Sequence, residues 1–229
     1  MNSPLAAHFG AGGDAPYDVA LRNGGGTLRL IELGEGGGRH VEMARFLAAA
    51  DAADESVIAR IDGPVLDVGC GPGRIVRAAI HAGRLSLGVD VSSTAVEHAR
   101  QQGLPALRRS VFEPLPQEGS WDALLLLDGN IGIGGAPEML LARCAQIISP
   151  RGSIFVEVDP EPRTDRGYAA TVVDEDGRSS SPFPWYDLGE EALRTRLSGS
   201  ALEIVETWEV SGRAFVRIAR RGRAAQAMP

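Results

Sequence analysis

The sequence VLDVGCGPGR at positions 65–74 decides the fold of this chain. Its first four residues predict a buried strand, the glycines that follow predict a tight turn, and the residues after the turn predict the start of a helix. A second segment, GVDVS at 88–92, predicts another strand that ends on an acid. Glycines let the backbone approach a ligand where a β-carbon would collide, so a nucleoside-bearing molecule is the natural occupant of this turn.

The spacing of the glycines argues against a dinucleotide. The G-x-G-x-x-G pattern of dinucleotide sites would place its third glycine where this chain has Arg74. A pyrophosphate is bound by bare backbone amides at a helix N-terminus. A ligand that carries both an ammonium and a carboxylate needs an acid as well as amides, and Asp67 supplies that acid.

The predicted strands and helices alternate after position 64, which indicates a parallel sheet covered by helices on both faces. Strands are predicted at 65–68, 86–90, 106–110, 121–127 and 153–158, and helices at 75–82, 93–102 and 137–148. An eleven-residue helix is predicted after Gly189, followed by strands at 202–210 and 213–219. Residues 41–61 have the apolar spacing of two helices that precede the first strand.

With these features in this order, the chain resembles the class I S-adenosylmethionine (SAM) dependent methyltransferases over residues 60–220. The resemblance implies an α/β fold with a doubly wound, seven-stranded, mostly parallel sheet, a C-terminal antiparallel hairpin and helices on both faces. It also implies SAM as cofactor and S-adenosylhomocysteine (SAH) as product. In the family's arrangement the glycine turn faces the methionyl part of SAM, Asp90 binds both ribose hydroxyls and Val91 packs on the adenine. The expected contacts of the turn are Asp67, Gly69, Cys70, Gly71 and Gly73.

The residues after the third strand are further expected cofactor contacts, because ligands lie at the carboxyl ends of the strands in open α/β sheets. Ser110 stands where many relatives have an acid that accepts a hydrogen bond from the adenine amino group, and a serine can still accept one. Val111 offers a backbone amide. Phe112 either stacks on the adenine or belongs to the core.

A glycine-rich loop begins after the fourth strand with Asp128, Gly129, Asn130 and Ile131. Asp128, or the carbonyl there, is expected to hold the SAM ammonium, with Gly129 as a further cofactor contact. Asn130 is expected to align the acceptor through its side-chain oxygen, with Ile131 beside it. Asn130 and Asp128 are therefore the catalytic candidates. The alternative is a tight turn that leads into the next helix, with Asn130 in a left-handed conformation.

The residues after the fifth strand are candidates for binding the acceptor. Acids near Glu157 could attract a cationic amine, Arg163 could hold a carboxylate in a two-pronged pair, or the segment could be a solvated acidic turn. Trp185 and Tyr186 either form an aromatic wall over the site or fix this segment to the core.

The chain is expected to divide into a flexible N-terminal cap with one short helix (1–40), a SAM-binding methyltransferase domain (41–221) and a tail (222–229). Within the domain, residues 160–188 are a candidate substrate-binding insert. Tyr17 of the cap is a candidate lining residue, and Arg22 and Arg45 have weaker support.

The amino-acid composition limits the classes of binding partner that are expected for this chain. A net charge of −7 over 229 residues disfavours nucleic acid, whose binding requires clustered cations. The sequence has no apolar run of about 18 residues, so no membrane span is predicted. The N-terminus lacks a signal-peptide pattern, so a cytoplasmic location is expected. A monomer or homodimer is also expected. The histidines lack metal spacing, and the two cysteines predict neither a metal site nor a disulfide.

The predicted function is methyl transfer to a small-molecule amine, carboxylate or hydroxyl. No histidine falls just after a predicted strand, so catalysis is expected to depend on positioning and desolvation. Two alternatives remain open: a SAM-fold enzyme without methyl transfer, such as an aminopropyl transferase or a pericyclase-like enzyme, or a non-catalytic SAM-binding protein.

Overall fold

The computed structural model describes residues 8–11, 15–34 and 37–222. These residues form two β-sheets with helices packed around them. In chain order the elements are α1 (Pro16–Arg22), β1 (Thr27–Glu32), β2 (Gly38–Glu42), α2 (Met43–Leu47), α3 (Ala52–Ile58), β3 (Val65–Val68), α4 (Arg74–His81), β4 (Ser86–Asp90), α5 (Ser93–Gln101), β5 (Ala106–Arg108), β6 (Trp121–Leu126), a 3-10 helix (Asn130–Gly135), α6 (Pro137–Ile147), β7 (Ile148–Val158), β8 (Asp165–Val173), β9 (Phe183–Leu188), α7 (Glu190–Arg196), β10 (Leu202–Val210) and β11 (Arg213–Arg220).

The larger sheet has seven strands in the order β10-β11-β7-β6-β3-β4-β5. The strands from β3 to β7 pair in parallel, whereas β11 pairs antiparallel with β7 and with β10. This sheet confirms the doubly wound fold and the C-terminal hairpin predicted from the sequence. Parallel neighbours require crossover connections, and the helices that join them cover the sheet.

Both faces of the seven-stranded sheet are buried, as the continuous apolar runs of its central strands require. Leu66, Leu124 and Val156 point to the face covered by α6 and α7. Val65 and Leu125 point to the opposite face, which α3 and α4 cover. Because side chains alternate between the two faces along each strand, the sheet has a hydrophobic core on each face.

The order of the strands reverses between β3 and β6. The chain moves outward from β3 through β4 to β5 and then returns to β6 on the other side of β3. Ligands of such sheets bind in the crevice at the carboxyl ends of the strands beside this reversal. The topology therefore predicts a ligand site at the residues that follow β3 and β6.

A second, four-stranded antiparallel sheet lies outside the expectations for residues 1–40. Its order is β2-β1-β8-β9, so the N-terminal hairpin pairs with two strands from the segment between β7 and α7. The short helix expected near the N-terminus is α1, and two strands that were not expected follow it, β1 at 27–32 and β2 at 38–42. β1 pairs with its neighbour β2 and also with β8, which lies far away in the sequence, so no local pattern indicated the second pairing. We call this four-stranded sheet the cap sheet.

Several predicted boundaries also shift. The helix expected to reach Gly199 ends at Arg196, and the strand expected to begin at position 153 begins at Ile148 because Ile148 already pairs with Trp121.

Among the described residues, no helix is long and apolar enough to span a membrane.

Candidate active site

A cavity of about 980 Å³ lies between the carboxyl ends of the central strands and the cap sheet. The loops after β3, β4, β5, β6 and β7 line one side of it, and residues of β2, α2 and β9 line the other. The strand ends meet here as expected from the sequence. Tyr17, Arg45, Trp185 and Tyr186, which the sequence offered as lining candidates, all line the cavity.

The glycine turn after β3 approaches the cavity with its backbone. Gly71 has φ +52°, a conformation that L side chains rarely adopt, and a β-carbon there would lie 3.1 Å from the Tyr17 hydroxyl oxygen. The amides of Gly69 and Cys70 both donate to the carbonyl of Val89 and so fix the turn to the end of β4. Tyr17 lines the cavity from α1, and burial, followed by the charge of Asp90, raises the pKa of its phenol.

Asp90 ends β4 and faces the same cavity. Its Oδ2 accepts a hydrogen bond from the Gly71 amide at 2.8 Å, and its Oδ1 accepts one from the Ser92 amide at 2.8 Å. Each carboxylate oxygen has a second lone pair, so the group can still accept two hydroxyl donors from a ligand. Burial raises the pKa of Asp90 above its ordinary value.

Asp67 lines the cavity from the end of β3 and is 3% exposed. Burial raises the pKa of its carboxyl to about 7, and the nearby charge of Asp128 adds to this effect, while Arg74 opposes it. A buried carboxyl whose pKa lies this high is stabilised as an anion by any cation that binds beside it. The site is therefore suited to an ammonium group.

Gly73 and Cys70 of the turn both pack against neighbouring parts of the protein. A β-carbon at Gly73 would lie 2.6 Å from Cδ1 of Leu104, so this glycine permits packing at the start of α4, and Gly73 is absent from the cavity lining within the described residues. Cys70 does line the cavity, but its Sγ would lie 2.6 Å from a β-carbon at Gly88. Burial raises the pKa of the Cys70 thiol, which keeps it protonated.

The residues after β5 lie together with Val91 on the cavity wall. The Ser110 amide donates to Glu113 Oε2 at 2.8 Å, and the Ser110 hydroxyl accepts from the Phe112 amide at 3.3 Å. Phe112 is 43% exposed and lines the cavity, so it is not a core residue. Its ring and the backbone of Val111 remain available to a flat ligand.

Asp128 belongs to an ion-pair network at the deep end of the cavity. Its carboxylate contacts Arg74, and its Oδ1 lies 3.0 Å from a terminal nitrogen of Arg45 and 3.5 Å from one of Arg213. Glu157 accepts from Arg213 through both oxygens, at 2.8 and 2.6 Å, and from the Asp128 amide at 2.7 Å. These two acids are occupied by protein cations and do not face the cavity as free bases.

Asn130 fixes the glycine turn. Its Nδ2 donates to the carbonyls of Val68 at 2.9 Å and Gly69 at 3.1 Å, and Gly69 itself lacks the β-carbon that would collide with this amide. The side chain therefore spans the two loops on either side of the strand-order reversal. Gly129 and Ile131 line the cavity beside it.

The acidic turn after β7 is held by contacts within the protein. Arg163 is 82% exposed in its side chain and pairs with Glu191 at 3.1 Å, outside the described cavity lining. Asp159 does line the cavity, but its Oδ1 accepts from the Glu161 amide and the Thr164 hydroxyl. The expectation that Arg163 holds a substrate is therefore not supported by its position.

The aromatic residues of β9 divide into two roles. Trp185 is 4% exposed, lines the cavity and has rings of Phe9 and Phe183 within 6 Å, at 5.7 and 5.9 Å between centroids. Tyr186 also lines the cavity, but its hydroxyl donates to Asp165 at 2.7 Å on the exposed side. Trp185 is the wall residue, whereas Tyr186 mainly fastens β9.

Sequence reasoning missed two charged residues of the cap sheet that line the cavity. Arg39 lies on β2 and its Nη1 is 3.1 Å from Oδ1 of Asp187 on β9. Neither belongs to a recognisable motif. Only the folding of β2 and β9 into one sheet brings them to the site.

Comparisons with known proteins agree with this geometry. Residues 65–152 match the family model described as "Methyltransferase domain". A curated relative, the ubiquinone biosynthesis O-methyltransferase of Methylococcus capsulatus, is 33% identical over 97 residues, which are 39% of this chain and 40% of the relative. The chain thus matches less than half the length of that relative.

Solved structures share the fold. A SAM-dependent methyltransferase from Bacteroides fragilis in complex with SAH is 17% identical, with a TM-score of 0.78 over 94% of this chain and 99% of that chain. The 1,6-didemethyltoxoflavin-N1-methyltransferase of Burkholderia thailandensis, with bound 1,6-didemethyltoxoflavin and SAH, is 21% identical, with a TM-score of 0.52 over 73% of this chain and 76% of that chain. The family model and these structures confirm the resemblance to class I methyltransferases and their fold.

Proposed function

We propose that this chain, which has the class I SAM-dependent methyltransferase fold and matches a methyltransferase domain over residues 65–152, transfers a methyl group from SAM to a small-molecule acceptor. The observation that carries the proposal is the pairing of the glycine turn with Asp90 at the strand-order reversal. This arrangement combines close approach of the backbone at Gly71 with a half-buried acid that the Gly71 amide holds in place, and a nucleoside requires both.

The residues of the cavity fit the groups of SAM. Asp90 has free lone pairs for the ribose hydroxyls, and Asp67 is a buried acid suited to the ammonium. The Phe112 ring and the Val91 side chain suit the adenine faces, and Ser110 and Val111 lie beside them. Arg45 lines the cavity and its side chain is 40% exposed, so its guanidinium suits the cofactor carboxylate. SAM, when bound, supplies an activated methyl group.

The chain's own contribution is positioning and exclusion of water. Asp128 and Glu157 are held in ion pairs, so neither acts as a free base. The buried aromatic wall around Trp185 and the cap sheet enclose the acceptor. Holding an acceptor in line with the methyl group in such a cavity can contribute about 7–11 kcal/mol to lowering the barrier. Asn130 acts by fixing the glycine turn through its amide nitrogen.

A small-molecule acceptor is supported by the size of the cavity. Its volume of about 980 Å³ falls at the upper end of the range of small-molecule sites, about 300–1,000 Å³. The net charge of −7 disfavours nucleic acid. A cytoplasmic location and a monomeric or homodimeric state remain part of the proposal.

The test is transfer of a deuterated methyl group. The protein is incubated with methyl-deuterated SAM and a panel of amines, phenols and carboxylic acids, and products are identified by mass spectrometry. We expect SAH formation together with an acceptor that gains the deuterated methyl. Binding of SAM with another transferred group, or with no turnover on any acceptor, would contradict the proposal and favour the alternative classes of SAM-binding protein.

A further inference from the structure

Arg39 brings a cation of the cap sheet to the end of β6. A β-carbon at Gly129 would lie 3.4 Å from Nη2 of Arg39 and 3.9 Å from Cζ2 of Trp185. A charged donor and an aromatic ring therefore face the same point beside the loop after β6. In the proposed function, this loop lies next to the site of methyl transfer.

The other guanidinium groups of the cavity belong to other parts of the site. Arg74 pairs with Asp54 and Asp128, and Arg45 lies against Asp128 at the deep end. Arg109 directs its Nη1 to the carbonyl of Pro114 at 2.8 Å. Arg39 is the lining guanidinium that belongs to the cap sheet.

Among the residues that the structure describes, Asp187 is the one acidic partner of Arg39, and Asp187 also contacts two other side chains. The second oxygen of Asp187 accepts from the Tyr168 hydroxyl at 2.8 Å and lies 3.5 Å from Arg166. A guanidinium has five N–H donors, and the contact with Asp187 uses Nη1. Asp187 thus positions Arg39 and leaves Nη2 available.

The acids on the acceptor side accept hydrogen bonds from the protein or face solvent. Glu157 is bound by Arg213 through both oxygens, and Asp159 accepts from Glu161 and Thr164. Glu42 also lines the cavity but is exposed to solvent. Beside the Trp185 ring, the charged group that faces the loop after β6 is the Arg39 guanidinium, which is a hydrogen-bond donor.

We propose that the acceptor is an aromatic or otherwise apolar small molecule that carries a carboxylate, and that Arg39 binds this carboxylate while Asp187 positions Arg39. This inference rests on the proposed function and narrows its acceptor class. Arginine and carboxylate form short, charge-assisted and often two-pronged hydrogen bonds. The apolar body of the ligand packs on Trp185, whose ring faces the same point as the guanidinium.

The experiment is calorimetric titration of the SAH-loaded protein with three acids and their matched amides: benzoate and benzamide, 2-naphthoate and 2-naphthamide, and indole-3-acetate and indole-3-acetamide. We expect at least one acid to bind about tenfold more tightly than its amide, since a hydrogen bond to a charged group is worth this much affinity. Arg39→Gln should abolish that preference and leave SAH affinity unchanged. A panel in which no acid binds more tightly than its amide overturns the inference.

The matched control is Arg29→Gln, which removes the same charge from an exposed position of β1 in the same sheet. It should retain the preference. Arg39→Lys should restore part of it, because a cation remains, and Asp187→Asn should weaken it without abolishing SAH binding.

Failure of this inference and failure of the proposed function give different experimental results. Loss of SAH affinity in Arg39→Gln would mean that Arg39 serves the cofactor, which overturns the acceptor role. A wild-type protein that binds no SAH would instead contradict the proposed function itself.

Discussion

The amide nitrogen of Gly71 lies 2.8 Å from Oδ2 of Asp90, which joins the glycine turn after β3 to the end of β4. One contact therefore fixes two parts of the candidate cofactor site relative to each other. The turn can hold this position only because Gly71 adopts φ +52° without a β-carbon. Disturbing either residue should affect binding of the nucleoside before it affects the rest of the sheet.

Asp90→Ala tests this relationship. The substitution removes the acceptor for the Gly71 amide and the proposed acceptor for the ribose hydroxyls, so we expect SAH affinity to fall at least tenfold, which is about 1.4 kcal/mol. Calorimetric titration measures the change. Asp62→Ala, a change of an exposed acid outside the cavity lining, is the control. Unchanged affinity in Asp90→Ala would remove Asp90 from the site.

Asp67 should make the stability of the unliganded protein depend on pH. Its pKa is raised from an ordinary value of 3.8 to about 7, so between these values the folded state binds more protons than the unfolded state. The free energy of unfolding therefore decreases as pH rises through this window. Asp67→Asn removes the titrating group, and denaturant titrations at about pH 5 and about pH 8 should show the variant gaining stability relative to wild type at the higher pH. Parallel pH profiles of the two proteins would contradict the buried, neutral carboxyl.

Asn130 gives a test of positioning against direct catalysis. Because its amide nitrogen donates to Val68 and Gly69, Asn130→Ala should lower SAH affinity as well as turnover. Asn130→Asp should lower it further, since a carboxylate oxygen would face two carbonyl oxygens. If Asn130→Ala instead reduces turnover and leaves SAH affinity intact, the side chain aligns the acceptor, as the sequence suggested.

Gly73 and Gly83 form a matched pair for the packing of α4. Both have positive φ, but a β-carbon at Gly73 would lie 2.6 Å from Leu104, whereas one at Gly83 would have no neighbour within 4 Å. Gly83→Ala should cost about 1–2 kcal/mol of unfolding free energy from the backbone alone. Gly73→Ala should cost about 1–3 kcal/mol more because of the collision. Equal losses in denaturant titrations would show that Leu104 moves aside freely.

The central sheet could be predicted from the sequence because its signals are local. The strand, the glycine turn and the acid at the end of the next strand lie within 26 residues, from Val65 to Asp90. Each strand of the core is a short apolar run between turn residues, and the helices between them have their own periodicity. Ser92 caps α5 by accepting from the Ala95 amide at 3.1 Å, which is also a local interaction.

The cap side of the site could not be predicted in the same way. β1 pairs with β8, so the sheet that carries Arg39 depends on contacts that no local pattern encodes. Asp128 and Glu157 stood at the expected strand ends, but their charges are satisfied by arginines from α2, α4 and β11. Arg163 followed a strand as expected and yet points away, because Glu191 pairs with it on the surface.

Calorimetric titration of the purified protein with SAM, SAH and NAD is the direct test of the cofactor site. We expect saturable micromolar binding of SAM and SAH at one site per chain, loss of that binding in Asp90→Ala, and no binding of NAD. Absence of binding by SAM and SAH in a folded protein would contradict the assignment of the cavity as a cofactor site, and binding of NAD alone would assign it to a dinucleotide.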